Sequence, residues 1–334
     1  MNYTKCKLYK LQSKKQLRNW LGIDNSSFFR KSNLEKNIFP KIIFEDNHQR
    51  LVEVSSTALK FVQTRILQLL SRLDFPNYHY SGVKGKSYIS NAKQHQGNMF
   101  IYKLDISKFF PNIRREYIYL FFKNKLQVSP DVAEILTNCT TTNLLTASYH
   151  NPETKTAVMN FVETNNLQHL SHLSTGSPTS MLLAFLANIP MFEKIESISK
   201  ENNLIFTVYA DDIVFSSQCN IPYTVRYKIV NIIESYGYKV SRKKCKYLMP
   251  RSPKTITGVV INSNGIPTTP NRLILKAHQK ILLYKKGNLS ISDWKSLRGT
   301  ISVANQIENK FPHLLHKMGK DILDDETHTY IKHE

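Results

Sequence analysis

Residues 207–217, TVYADDIVFSS, set two adjacent aspartates, Asp211 and Asp212, in the middle of an apolar run. Val208, Tyr209 and Ala210 lead in, and Ile213, Val214 and Phe215 lead out. β-Branched and aromatic residues favour strands, so the segment reads as two strands joined by a turn that carries both carboxylates. Most Asp-Asp turns are solvated surface. Here a second Asp ends another alternating strand upstream, Asp105 in MFIYKLDI (99–106), followed by two aromatics and Pro111. Side-by-side carboxylates repel unless a cation lies between them. Magnesium takes one or two carboxylates plus phosphate oxygens, and a pair of such ions about 4 Å apart serves in-line phosphoryl transfer.

The charge balance agrees with a phosphate-rich partner. Lys and Arg number 46 against 25 Asp and Glu, a net charge of +21. Such an excess attracts polyanions, nucleic acid being the commonest, although a basic membrane-surface or structural protein carries the same signature. With 334 residues, 41% of them apolar, the chain can bury a core and has the length for two or three subdomains. Cys6, Cys139, Cys219 and Cys245 lie far apart without a CxxC pair, which reads as free thiols rather than a zinc site. No apolar run approaches the roughly 18 residues of a membrane span, and the basic first twenty residues lack a signal-peptide core. The expectation is a soluble cytoplasmic protein with no membrane partner.

Residues 1–35 read as a basic helical N-terminal layer. In 57–73, Leu59, Val62, Ile66, Leu69, Leu70 and Leu73 form one helical stripe, with Lys60, Gln63, Arg65 and Arg72 elsewhere around the helix. Helical spacing returns in 224–238, with Gly237 as the stop. Residues 255–270 read as a hairpin turning at Asn264-Gly265, and the chain from Asn271 on is helical, through PHLLHKMGKDIL (312–323). Strands mixed with helices, without strict βα alternation, give an α+β sheet domain with helical attachments.

YADD between two apolar strands resembles the signature of reverse transcriptases, and LDISKFFPNI (104–113) resembles their first aspartate motif. LSTGSPTSMLLAFLAN (173–188) is similar to the family's LPQGxPxSPxLxN segment, retaining Leu173, Gly176, Pro178, Ser180 and Asn188. Within the family the bacterial retron enzymes fit best. SNAKQHQG (90–97) resembles their Asn-Ala-x-x-His element, TITGVVI (255–261) their Val-Thr-Gly element, and LRGTISVANQIENKFP (297–312) their Arg-Gly helix. These elements follow the family's order from about Arg50 to the end.

The resemblance implies a right-hand polymerase fold: fingers over 36–98, a palm with an antiparallel sheet over 99–250, and a palm–thumb hairpin with a small helical thumb over 251–334. It implies that Asp105, Asp211 and Asp212, with the carbonyl of Ile106, hold two Mg²⁺ ions. Lys244 corresponds to a lysine near the leaving pyrophosphate. It lies among seven basic residues in 239–254, Arg251 included, which otherwise form a solvated face. Arg50 corresponds to a fingertip arginine that clamps the triphosphate, and Phe110 to a ring that excludes a 2′-hydroxyl or else packs in the core beside Phe109. Thr175, Gly176 and Tyr209 complete the nucleotide site, while Asn91, His95, Thr257, Gly258 and Arg298 correspond to RNA-binding positions. Lys60 either approaches the template or lies on the solvent face. Lys84, Gly85 and Lys86 read as a phosphate-touching loop. His95, His169 and His172 lack the spacing of a zinc site.

The pattern also departs from the family. Thr175 stands where Gln is usual, Met181 where Pro is, Val208 where many retron enzymes have Arg, and Lys108 where they have an acid. The segment 147–172 is extra length, read as a surface loop or as a contact for protein or RNA. The implied activity is RNA-directed DNA synthesis from deoxynucleoside triphosphates, with a cognate structured noncoding RNA as template and primer. Synthesis starts at an internal 2′-hydroxyl, and the branched multicopy single-stranded DNA stays with the enzyme. An effector protein from the same locus and a role in antiphage defence are implied too. The alternatives are an intron-like polymerase, which the short chain disfavours, an untemplated polymerase, and an RNA-binding protein that keeps the fold without the activity.

Overall fold

The structure is a computed structural model that describes residues 1–45, 48–250, 252–286 and 290–310. Expectations for Arg251 and for the helical pattern beyond 310 lie outside these residues. An N-terminal helix α1 (Lys14–Leu21) and a short α2 (Lys31–Glu35) precede the hairpin β1 (Ile38–Glu45) and β2 (His48–Ser55). Helix α3 (Thr57–Leu70) starts where the Ser56 hydroxyl accepts from the Leu59 amide, a side-chain cap that replaces a missing intrahelical partner. Helix α4 (Tyr88–Lys93) leads into β3 (Phe100–Asp105). Leu17, Leu21 and Leu34 share one core with α3, so residues 1–35 pack into the body of the molecule.

Three short helices, α5 (Phe109–Asn112), α6 (Arg115–Leu120) and α7 (Pro130–Thr140), follow β3. Then come β4 (Thr141–Asn143), α8 (Pro152–Thr164) and β5 (Ser171–Leu173). The buried helices α9 (Ser180–Ala187) and α10 (Ile189–Glu201) lead to β6 (Ile205–Tyr209), β7 (Asp212–Ser217), α11 (Tyr223–Ser235) and β8 (Lys246–Leu248). A three-stranded sheet of β9 (Lys254–Ile256), β10 (Val259–Ile261) and β11 (Pro267–Thr268) precedes the helix pair α12 (Asn271–Lys285) and α13 (Ile291–Glu308).

The central sheet runs β6-β7-β3-β8, all antiparallel, as expected of the right-hand polymerase class. Strand alternation divides its residues between two faces. Tyr102, Leu104, Ile213 and Phe215 join the main core together with Ile229 and Ile233 of α11. Ile101 and Val214 face the other way and meet Ile256, Val259 and Ile261 of the small sheet, with Ile89 and Ala92 of α4. Lys103, Asp105 and Asp212 therefore lie on this second face, under the small sheet.

Three sequence expectations change. Residues 147–172 are not a surface loop. Asn151 caps α8, Pro152 opens it, and Val158 and Val162 form a separate small core with Leu51, Leu144 and Leu167. The amphipathic signal is weak because little of the helix's circumference is covered. Gln63 is not on the polar side of α3. It is fully buried and donates to the Cys139 carbonyl at 2.9 Å. The 255–270 hairpin is two hairpins: Ile256 and Val259 are register partners around the two-residue turn Thr257-Gly258, and the Asn264-Gly265 turn joins β10 to β11. Thr257 (φ 44°) and Gly258 (φ 87°) both adopt the left-handed conformation that such a tight turn requires.

Candidate active site

Asp105 and Asp212 are register partners on β3 and β7, so their side chains leave the same face of the sheet. Tyr209 and Asp212 are register partners too, which leaves Ala210-Asp211 as a two-residue loop. Ala210 holds φ 56°, a conformation costing an L-residue about 1–2 kcal/mol and normally given to glycine. The Ile106 amide donates to the Asp211 carbonyl at 3.2 Å, tying this loop to the end of β3. The Ser241 amide donates to the Asp105 carbonyl at 2.8 Å, which brings the following basic turn over β3. Lys244 thereby reaches Asp105 at 3.0 Å, and Lys103 reaches Asp212 at 3.1 Å.

The electrostatics follow from crowding. Burial raises the Asp105 carboxyl above its ordinary range, opposed by the hydrogen bond from Lys244. Asp211 is pushed up to about 6, first by burial and then by the charge of Asp105. Among the described residues no three such side chains form a ready-made ligand cluster. Asp105 and Asp212 are each paired with a lysine ammonium instead. Hard oxygen donors on paired strands are nevertheless the donor set that suits a hard divalent ion. Asp105, Asp211 and Asp212 fit such an ion.

Beside the aspartates lies a cavity of about 480 Å³, lined by Phe110, Met181, Tyr209, Asp211, Asp212 and Thr257 among others. Phe109 is core, stacked edge-on to Tyr238, whereas Phe110 faces the cavity. The structure thus brings Asp105, Asp211, Asp212, Lys244, Phe110, Tyr209 and Thr257 to one place. Thr257 is pinned there: its hydroxyl donates to the Tyr88 carbonyl at 2.8 Å, and the Asn91 amide lies 3.4 Å from it.

Other expected residues serve differently. Asn91 and His95 are fully buried, so neither side chain can reach an RNA directly. The two His95 ring nitrogens lie 2.7 Å from the hydroxyls of Ser216 and Thr207, beneath the Asp-bearing hairpin. Lys86 is not free for phosphate, because the carbonyls of Pro76, Asn77 and His79 accept from its ammonium. Lys84 is exposed. Lys60 lies on the solvent side of α3. Arg50 sits on the exposed end of β2, paired with Glu45 at 2.7 Å. Gly258 has open space around it, and Arg298 is exposed on α13 over the Trp294 ring. Val208 is buried, and its backbone forms a bridge with His79. Lys108 donates to the Asn165 carbonyl, anchoring the end of α8.

Glu53 is the residue that sequence reasoning missed. It is fully buried and accepts from His172 Nε2 at 3.0 Å, from the Thr175 amide at 2.6 Å and from the Thr175 hydroxyl. Burial pushes its carboxyl up, but the His172 and Thr175 bonds outweigh this and hold it below the ordinary range. The His169 carbonyl lies 2.9 Å from His172 Nδ1. Thr175 thus seats the β2 strand. A Cβ on Gly176 would meet the Glu53 carbonyl at 2.4 Å, so only glycine fits there. Lys103 was also missed, though it lies two strand positions before Asp105 and so shares its face.

Residues 9–261 match the family model of reverse transcriptases, RNA-dependent DNA polymerases. The retron Ec83 reverse transcriptase of Escherichia coli is 27% identical over 281 residues, 80% of this chain and 82% of that protein. The retron Se72 reverse transcriptase of Salmonella heidelberg is 24% identical over 70% of this chain. The retron Ec86 reverse transcriptase of Escherichia coli is 26% identical over 66% of it. The chain spans 56% and 61% of the lengths of these last two. Among the described residues no helix is long and apolar enough to cross a membrane. With carboxylates on paired strands, a ring-walled cavity beside them and this extent of similarity, the chain belongs to the reverse transcriptase family of RNA-directed DNA polymerases, and within it to the retron type.

Proposed function

We propose that the protein is the polymerase of a retron. It copies a cognate structured noncoding RNA into branched multicopy single-stranded DNA, starting from an internal 2′-hydroxyl, and acts with a locally encoded effector in antiphage defence. The observation that carries the polymerase part is the register pairing of Asp105 with Asp212, with Asp211 beside them at the edge of a cavity walled by Phe110. The retron part rests on the similarity to the Ec83, Se72 and Ec86 enzymes.

In this reading Asp105, Asp211, Asp212 and the Ile106 carbonyl hold two Mg²⁺ ions. Bound there, the ions supply the charge that acidifies the attacking hydroxyl and offsets the negative charge gathering on the phosphate. Phe110 fills the space beside the sugar C2′ and so favours deoxynucleotides. Tyr209, Thr175 and Gly176 shape the nucleotide seat, the last two through the Glu53 contact. Lys244 leaves Asp105 for the departing pyrophosphate, and Arg50 clamps the triphosphate from β2, a task suited to a guanidinium fork. Thr257, Gly258 and Arg298 face RNA, while Asn91 and His95 act from inside by fixing the turn and sheet that carry them. Fingers, palm and thumb divide as 36–98, 99–250 and 251–334, with 1–35 as an N-terminal layer.

The test is incubation of the purified protein with RNA transcribed from the DNA flanking its gene, Mg²⁺ and labelled deoxynucleotides. A labelled DNA attached to RNA through a debranching-sensitive link is expected. RNA bound tightly without any incorporation would instead favour a protein that keeps the fold and no longer polymerises.

A further inference from the structure

The face of the central sheet opposite Asp105 carries an aromatic cluster that the polymerase site does not use. Tyr102 and Tyr247 are register partners on β3 and β8, pointing away from Lys103 and Asp105. Helix α11 lays its first turns over them. The Arg226 guanidinium stacks on Tyr247 at 4.2 Å and lies 5.7 Å from Tyr102 and 5.6 Å from Tyr223. Among the described residues its buried Nε has no hydrogen-bond acceptor. Tyr223 and Tyr227, one turn apart, stack on each other with centroids 6.1 Å apart and planes 22° off parallel. They are 68% and 54% exposed.

Tyr247 is anchored at its hydroxyl. Asn220 and the Ile221 amide both bond the Tyr247 hydroxyl, which fixes the ring beneath Arg226. The stretch of chain that carries it is poor in acid: from Ile213 to Ser292 there is one acidic residue, Glu234, and exposed Lys228 follows Tyr227 directly. Exposed rings offer stacking to any base. An arginine held by rings rather than by a carboxylate offers its remaining donors to phosphate.

We infer that α11 and the edge strand β8 form a second nucleic-acid site, outside the polymerase cleft, that takes a single-stranded segment by stacking its bases on Tyr223 and Tyr227 and pairing its phosphates with Arg226 and Lys228. The site rests on the nucleic-acid reading of the chain but not on its polymerase activity. Stacking does not depend on the sugar, so ribose and deoxyribose strands both bind.

The experiment uses the full protein with its cleft saturated by an unlabelled hairpin template–primer, and titrates fluorescent oligouridylate or oligothymidylate. Tyr223→Ala with Tyr227→Ala should weaken both oligonucleotides by roughly tenfold or more, and the paired Phe substitutions should restore binding. Arg226→Gln should lower the salt dependence by about one phosphate contact. Photocrosslinks from iodinated bases should map to 223–228 and vanish in the double alanine variant. Extension of the hairpin primer should stay unchanged. Unaltered affinity in the double alanine variant, or crosslinks that map only elsewhere, overturns the site, including where the rings serve a protein partner. Crosslinking at 223–228 without any primer extension would leave this site standing and remove the polymerase reading.

Discussion

Asp105 and Asp212 sit opposite each other across the β3–β7 ladder, and each carboxylate is held by its own lysine, Lys244 and Lys103. The two contacts differ. Lys244 is two-thirds exposed and hangs from a turn, whereas Lys103 is largely covered and built into β3. Lys103 is thus the more enclosed of the two cations, beside Asp212.

Lys103 therefore competes with a divalent ion for Asp212. Lys103→Ala should lower the Mg²⁺ concentration for half-maximal primer extension by roughly fivefold, about 1 kcal/mol, as for unit charges about 4 Å apart and screened by water. A Mg²⁺ titration that is unchanged or shifted upward would show that the ion pair does not oppose binding.

Asp211 makes stability depend on pH. Its carboxyl titrates near 6 in the fold against an unfolded value near 3.8, so the fold binds more protons than the unfolded chain between these values. That contribution is complete below about 3.8 and is lost as pH rises through about 6. In EDTA, Asp211→Asn should be more stable than wild type by about 1–3 kcal/mol at pH 7.5, with no advantage near pH 4. Thermal melts across this range check it, and Mg²⁺ should narrow the gap by stabilising wild type alone. A constant gap at all pH values would mean that packing, not charge, separates the two.

The reach of the sequence differed from one element to another. The aspartates were legible because a period-two apolar pattern ending in Asp is hard to place except at the end of a strand. The same period puts Lys103 on their face. Strand β2 was not legible: in LVEVS the valines look inward, yet Leu51, Glu53 and Ser55 are buried while Val54 is exposed. The partners that make Glu53 acceptable inside, His172 and Thr175, lie more than a hundred residues away. Helix α8 was hidden for a related reason, since covering only Val158 and Val162 leaves most of its surface polar. His95 carries no local mark that distinguishes a buried bridge from a surface contact.

The Glu53 cluster should be costly to break. Glu53→Ala leaves His172 buried without its carboxylate, and a loss of about 3–5 kcal/mol is expected in denaturant unfolding. Joint replacement, Glu53→Leu with His172→Leu, should recover part of it. A loss under 1 kcal/mol in the single variant would mean that water replaces the carboxylate easily.

Phe110 should set sugar selectivity. Phe110→Ala opens the cavity wall beside Asp211 and Asp212 and leaves Phe109 in the core. Ribonucleotide use relative to deoxynucleotide use, read as the ratio of kcat/KM values, should rise by roughly ten- to a hundredfold. An unchanged ratio would place the gate elsewhere.

Whether the carboxylates of 105, 211 and 212 converge on one divalent centre can be measured without any polymerisation. Fe²⁺ in place of Mg²⁺, with ascorbate and peroxide, cuts the backbone beside its ligands. Cleavage is expected at both 105–106 and 211–212, suppressed by excess Mg²⁺ and absent in the Asp211→Asn, Asp212→Asn double variant. Cleavage confined to one of these segments, or lying away from both, would contradict a shared metal centre.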